Sequence, residues 1–250
     1  MTWQLAAMPA TPPNRPDLPK RFYKAVSTSA QDGGWRIELD GRPVKTPAKA
    51  ALVLPSEALA ALVASEWDAQ DEVINPAAMP LTRLANVAID RTPDTRAELA
   101  DEVAKYTGTD LVCHLADGPS ELRERQEQHW RPLRDWAGRA LGVMLLPVEG
   151  VIAMPQPDAS MQAARDHALS LDDFRLTAFV WSTALYGSAI LALAVEQGEI
   201  DATSAFDLSR IDEDWQIEQW GEDEEAAAVT LARRRDALAL GAWFDALRKG

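Results

Sequence analysis

The sequence has one cysteine, Cys113, and far fewer basic than acidic residues. A single cysteine excludes an intrachain disulfide and is typical of a reducing compartment. With 25 Lys and Arg against 39 Asp and Glu, the formal net charge is −14. Nucleic acids and anionic membrane surfaces are bound mainly through basic side chains, so the composition predicts neither as a partner.

The common cofactor and catalytic motifs are also missing. There is no GxGxxG loop, no GxxxxGK[ST] loop and no GxSxG turn. The histidines, His114, His129 and His167, never have the i, i+4 spacing of a zinc-binding helix. We therefore expect no cofactor, no metal and no catalytic residues. Spacing alone leaves one alternative open, an acidic-cleft hydrolase that uses a pair of carboxylates as acid and base.

One apolar run, Leu176–Val195, is long enough to span a bilayer. Serine, threonine and glycine dilute it, however, and its flanks are acidic at Asp172 and Glu196, so no basic anchor fixes an orientation. A helix that is apolar on all sides is also what the centre of a helical domain requires. We predict a buried helix over roughly 172–196 and no stable membrane insertion.

Residues 20–55 have the pattern of a hairpin-rich sheet, preceded by a Pro-rich segment, residues 1–19, that lacks the features of a secretory signal. The alternation of apolar and polar side chains predicts strands. The dipeptides Asp40-Gly41 and Gly33-Gly34 predict tight turns between them.

From Ser56 onward the pattern is helical. Ser56 can cap a first helix, whose apolar face comprises Leu59, Leu62, Val63 and Trp67. The later helices are expected at roughly 158–169, 172–196, 201–209 and 211–246, among others. The sequence thus predicts an α+β fold: a flexible arm (1–19), a small α+β domain (20–92) and an all-α domain (93–250).

The stretch IDEDWQIEQWGEDEEA, residues 211–226, holds eight carboxylates and two tryptophans, and no basic residue occurs between Arg210 and Arg233. On a continuous helix, one face would carry Ile217, Trp220, Glu224, Ala227 and Leu231. An unpaired carboxylate on an apolar face is costly to bury, so Glu224 would either bond a donor inside the fold or face a cleft. The residues alone leave both alternatives open.

An ordered set of motifs resembles the bacterial type of the assembly chaperones of F-type ATP synthase that bind its alpha subunit, the ATP12 family. The matching stretches are RFYK (21–24), LDGRPVKTP (39–47), EWDAQ (66–70), NPAAMPLTRLANVAID (75–90), RQEQHW (125–130), LYGSAILALAV (185–195) and DEDWQIEQWGEDEEA (212–226). The resemblance therefore runs from about Arg21 to the last helix.

The resemblance implies a non-enzymatic protein with an α+β and then a helical region. It also implies a client, the free alpha subunit, which is held against aggregation until it pairs with the beta subunit, without nucleotide. The family's important Glu, four residues after the motif Trp, corresponds to Glu224. Mitochondrial relatives carry His-Asp where this chain has Ala227 and Ala228. We expect a cytoplasmic bacterial monomer, with the mitochondrial matrix as the alternative location. The expected partner-binding residues are Glu224, Glu222, Glu218, Trp215, Trp220 and Asp214.

Overall fold

The computed structural model describes residues 18–150 and 154–249. The predicted arm lies outside the described residues up to position 17. Its last residue, Pro19, is already tied to the fold, because its carbonyl accepts a hydrogen bond from the Ile74 N–H at 2.8 Å. Lys20 continues this contact as an antiparallel bridge with Val73.

A four-stranded antiparallel sheet forms the first part of the fold. Its strands are β1 (Val26–Gln31), β2 (Gly34–Leu39), β3 (Arg42–Pro43) and β4 (Val53–Leu54). Strand β2 pairs with each of the other three.

Both predicted turns of the sheet are confirmed. Asp40 and Gly41, with φ of 49° and 75°, join β2 to β3. Gly33, with φ of 84°, lies in the turn between β1 and β2. At Gly34 a Cβ atom would lie 2.2 Å from the Leu54 carbonyl oxygen, so only glycine lets β4 approach β2 this closely.

Helix α1 (Glu57–Asp68) lies against β1 and β2, and its predicted cap is confirmed. The Ser56 hydroxyl oxygen accepts from the Leu59 N–H at 3.2 Å, and Leu59 and Val63 are fully buried. The same hydroxyl donates to the Ala246 carbonyl at 3.0 Å, which joins the start of α1 to the last helix of the chain.

Helices dominate the rest of the described chain, apart from two short strands, β5 (His114–Leu115) and β6 (Val148–Glu149), that pair in parallel. The predicted α+β class, a small sheet followed by helices, is therefore confirmed. The division at residues 92 and 93 stays a prediction. The further helices are α2 (Pro80–Asp90), α3 (Thr92–Gly108), α4 (Ser120–Leu141), α5 (Asp158–Ser170), α6 (Asp173–Tyr186), α7 (Ala189–Gln197), α8 (Ala202–Leu208), α9 (Ile211–Trp220) and α10 (Glu224–Arg248).

The apolar run Leu176–Val195 is mostly buried, as predicted, but the single helix expected over 172–196 is wrong. Gly187, with φ of 65°, ends α6, and the Ser188 hydroxyl oxygen caps α7 by accepting from the Leu191 N–H at 3.0 Å. In the described part of the chain, no helix is both long and apolar enough to cross a membrane.

Helix α7 lies at the centre of the fold, where Ala189–Glu196 is buried throughout. It contacts α3, α4, α6, α8 and α10. Two fully buried tryptophans complete this core: the Trp130 indole N–H donates to the Leu208 carbonyl at 2.9 Å, and that of Trp243 donates to the Phe174 carbonyl at 3.1 Å.

The carboxyl group of Asp110 is buried between the 3₁₀ turn Leu111–Cys113 and the start of α7. Its oxygens accept from the Val112 N–H at 3.2 Å and from the Ile190 N–H at 3.0 Å. Burial raises the pKa of Asp110 to about 6, although these hydrogen bonds favour the charged form. Asp110 therefore satisfies N–H groups of a helix that comes much later in the sequence.

A second buried carboxylate, Glu196, joins α5, α6 and α7. Its oxygens lie 2.9 Å from Nη1 of Arg175 and 3.1 Å from Nε2 of His167. Burial alone would raise the pKa of Glu196, but hydrogen bonds from His167, Gln197 and Arg175 outweigh it and hold the pKa below its ordinary value. A charge in the core is tolerated here because it has partners.

Candidate partner-binding surface

The acidic stretch consists of two helices, so the single helix predicted over 211–246 is wrong. Helix α9 ends at Gly221, whose φ of 88° and ψ of 166° leave the helical region. Helix α10 begins after Asp223, whose carboxylate accepts from the Ala226 N–H at 2.9 Å. The apolar face that was expected to run from Ile217 to Leu231 is therefore interrupted at Gly221.

Glu224 is exposed in the first turn of α10, so the alternative of an internal partner is wrong. The alternative of a side chain that faces a cleft is not met either, because Glu224 is not among the residues that line the cleft between α9 and α10. The salt bridges formed by this part of the chain use Asp214 and Glu218 instead. Exposed acids in the first turn of a helix are mildly favourable, because the unpaired N–H groups carry partial positive charge. Glu224 is thus a free charge at a helix start.

Arg125 and Gln126 of α4 both bind side chains of α9. The Arg125 guanidinium donates to both carboxylate oxygens of Glu218, at 2.8 and 2.9 Å, and lies 4.8 Å from the centre of the Trp215 ring. This hydrogen bonding holds the pKa of Glu218 below its ordinary value. Nearby, the Gln126 amide donates to Asp212 at 2.5 Å. Arg125 lies in the RQEQHW motif, but its role could not be read from the sequence.

The structure divides the six predicted partner-binding residues into two groups. Asp214, Trp215 and Glu218 are engaged within the fold, since Asp214 lies 3.4 Å from the Arg210 guanidinium and the other two contact Arg125. The other group is free at the surface, with Trp220 78% exposed, and comprises Trp220, Glu222 and Glu224.

A groove of about 600 Å³ separates α9 from the first half of α10. We call the surface that contains it, residues 211–233, the α9–α10 surface. Acidic residues line part of the groove: Glu213, Glu222, Asp223 and Glu225. Apolar side chains form the remainder: Ile217, Trp220, Ala226, Ala227 and Val229. Sequence reasoning missed Ala226 and Val229, for which the only signal was the unusually apolar run that follows Glu225.

The two arginines that line the groove are engaged elsewhere. Arg233 donates to the Leu185 carbonyl at 2.6 Å. Arg210 pairs with Asp214, and its guanidinium lies 5.9 Å from the centre of the Phe206 ring. Arg233 keeps its charge, but four carboxylates against two guanidinium groups leave the groove acidic beside its apolar surface.

Neither a reactive thiol nor a metal-binding cluster lies at this surface among the described residues. Cys113 is buried, and burial raises the pKa of its thiol, which disfavours the nucleophilic thiolate. Across residues 18–150 and 154–249, no three His, Cys, Asp or Glu side chains are grouped to hold a metal ion. Exposed apolar side chains beside carboxylates are a composition that suits contact with another protein.

Comparison with known proteins finds relatives that match most of the chain. A family model described as ATP12 chaperone protein matches residues 20–138. The protein atp12, mitochondrial, of Schizosaccharomyces pombe is 28% identical over 235 residues, which cover 89% of this chain and 81% of that protein.

Two solved bacterial structures are more similar. The crystal structure of Atp12 from Paracoccus denitrificans shares 44% identity with a TM-score of 0.85, and the match covers 91% of this chain and 97% of the other. The Atu1473 protein of Agrobacterium tumefaciens shares 43% identity with a TM-score of 0.87, covering 92% and 87% respectively.

Proposed function

The chain belongs to the ATP12 family of ATP synthase assembly chaperones, and we propose from this that its client is the free alpha subunit of the F-type enzyme. It binds that subunit until the alpha subunit pairs with the beta subunit during assembly of the catalytic head. An unassembled subunit exposes apolar surface that the complete head would cover, and such surface drives aggregation.

The observation that supports a client-binding role is the exposed α9–α10 surface. Trp220 is 78% exposed and Val229 is 56% exposed, although large apolar side chains are usually placed where they can be covered. Beside them, Glu222 and Glu224 are exposed and free to attract a basic partner. Exposed aromatic anchors next to free charge are typical of protein interfaces.

This role requires binding and release, with no chemical step, nucleotide or metal. We propose that the protein acts as a monomer in the bacterial cytoplasm. A tagged copy mixed with purified alpha subunit should retain it and suppress its light scattering on warming, without nucleotide. The hydrolase alternative predicts substrate turnover that is lost when one of two carboxylates is removed.

Replacing Glu224 with Gln should weaken binding of the alpha subunit by a factor between about 1.4 and 5, since exposed charge pairs are worth about 0.2–1 kcal/mol. The free energy of unfolding should change by less than about 0.5 kcal/mol, because the side chain is exposed and makes no salt bridge with any residue that the structure describes. Both quantities can be measured on one preparation, by calorimetric titration and by urea denaturation.

Glu72→Gln is a matched control, because it removes an exposed carboxylate from the loop after α1. It should leave binding unchanged. Equal binding by the Glu224 variant and the wild type would remove Glu224 from the interface, and a large loss of stability would make it a structural residue.

A further inference from the structure

The α9–α10 groove is lined by apolar side chains and by four carboxylates, Glu213, Glu222, Asp223 and Glu225, which we call the acidic rim. Ile217 and Trp220 line it from α9, and Val229 from α10. None of the three is fully buried, and Trp220 and Val229 are mostly exposed. The two helices thus form the walls of a channel in which a third helix can lie, an arrangement that recurs where proteins bind amphipathic helices.

The charge of the groove indicates the chemistry of its occupant. Glu213, Glu222 and Glu225 line it and form no salt bridge with any described residue, while Asp223 is used only to cap α10. The arginines that line it are held by Leu185 and Asp214, as described above. Charge complementarity therefore requires an occupant that carries Lys or Arg beside its apolar face.

We propose that this groove binds an amphipathic, basic helical segment of the client, with its apolar side on Trp220 and Val229 and its cations along the acidic rim. The source of the segment in the alpha subunit rests on the proposed function, whereas its chemistry rests on the groove alone. A second copy of this chain fits poorly, because its net charge of −14 would meet the same acidic rim.

The direct test uses two synthetic peptides and the whole chain. One peptide is an amphipathic helix with a leucine face flanked by lysines, and the other has the same leucines with glutamates in place of the lysines. Fluorescence anisotropy should show that the lysine peptide binds at least about tenfold more tightly, because like charges across an interface disfavour binding. Its affinity should fall with added salt, since exposed charges are screened beyond about 8 Å at physiological ionic strength.

Two variants locate the binding to the groove. Ala226→Trp places a large side chain in it from an exposed position, and the triple change of Glu213, Glu222 and Glu225 to Gln removes the rim charge while keeping its shape. Each should weaken binding of the lysine peptide by about tenfold or more. Leu238→Ser is the control, because Leu238 is 51% exposed on the same helix and does not line the groove. It should bind like the wild type.

Equal binding of the two peptides, or unchanged binding by both groove variants, would overturn the proposal. So would a dimer in sedimentation that Ala226→Trp dissociates, since the occupant would then be a second copy. Measuring the alpha subunit in parallel separates this inference from the proposed function. If both groove variants still retain the subunit, the groove is not the binding site, and the proposed chaperone role stands. If the lysine peptide binds in the groove but the subunit is not retained, the groove binds basic helices, and the proposed client is wrong.

Discussion

Replacing Trp243 with alanine should lower the free energy of unfolding by about 3–5 kcal/mol, the usual cost of deleting a fully buried aromatic side chain. The Trp243 ring is fully buried, stacks on Phe174 with 6.0 Å between ring centres and donates a hydrogen bond to the Phe174 carbonyl. The same change at Trp220 should cost less than about 0.5 kcal/mol, because that ring is 78% exposed. Urea denaturation followed by far-ultraviolet circular dichroism measures both.

The comparison tests how the C-terminal helices are arranged. Replacement of Trp243 should cost several times as much stability as replacement of Trp220, although Trp220 is the one that we place in the partner-binding surface. A similar cost at both positions would mean that Trp220 is covered in solution, and the α9–α10 surface would not be available. A cost below about 1 kcal/mol at Trp243 would place the second half of α10 outside the core.

Asp110 should make the fold more stable as the pH falls from about 7 to about 4. Its pKa is raised from 3.8 to about 6 in the folded protein, so the folded state holds this proton more tightly than the unfolded chain does. The resulting stabilisation is fully present below the unfolded pKa and is lost as the pH rises through 6. A shift of about two units corresponds to about 3 kcal/mol.

Asp110→Asn isolates this contribution, because the asparagine keeps the shape of the side chain and does not titrate. Every other acid, including Glu196, titrates in both proteins and cancels in the difference. The free energy of unfolding of the wild type minus that of the variant should therefore rise by about 2 kcal/mol between about pH 7 and about pH 4, which is most of the full effect. A difference that does not vary with pH would show that Asp110 has the same pKa in the folded and unfolded states.

Local signals in the sequence predicted the sheet well. Asp40-Gly41 and Ser56 were assigned correctly because a turn residue with positive φ and a helix cap act on their immediate neighbours. Two helix ends were missed, one at Gly187 inside an apolar run and one at Gly221 inside the acidic stretch. Helical periodicity continues almost unchanged across a break of two or three residues, so the pattern does not reveal the change in direction.

The error at Gly221 carried over into the interpretation of Glu224. Assigned to a continuous helix, Glu224 was placed on an apolar face, whereas the structure exposes it at the start of α10. The sequence does not predict that Arg125 contacts Trp215 and Glu218. These residues are about ninety positions away from Arg125 and meet it only through tertiary packing. What the sequence did identify was the segment, through its density of carboxylates and tryptophans.

The length of helix α10 separates the groove from a site where a fluorescent dye can be attached. Its 25 residues extend over roughly 37 Å, from the groove at one end to Lys249, which is exposed beside Trp35 and Ser56 at the other. Because Cys113 is buried, Lys249→Cys would add the one readily accessible thiol among the described residues. A dye placed there would be too distant to obstruct the groove, yet within range for energy transfer to a dye on the bound subunit, so arrival and release could be followed in real time.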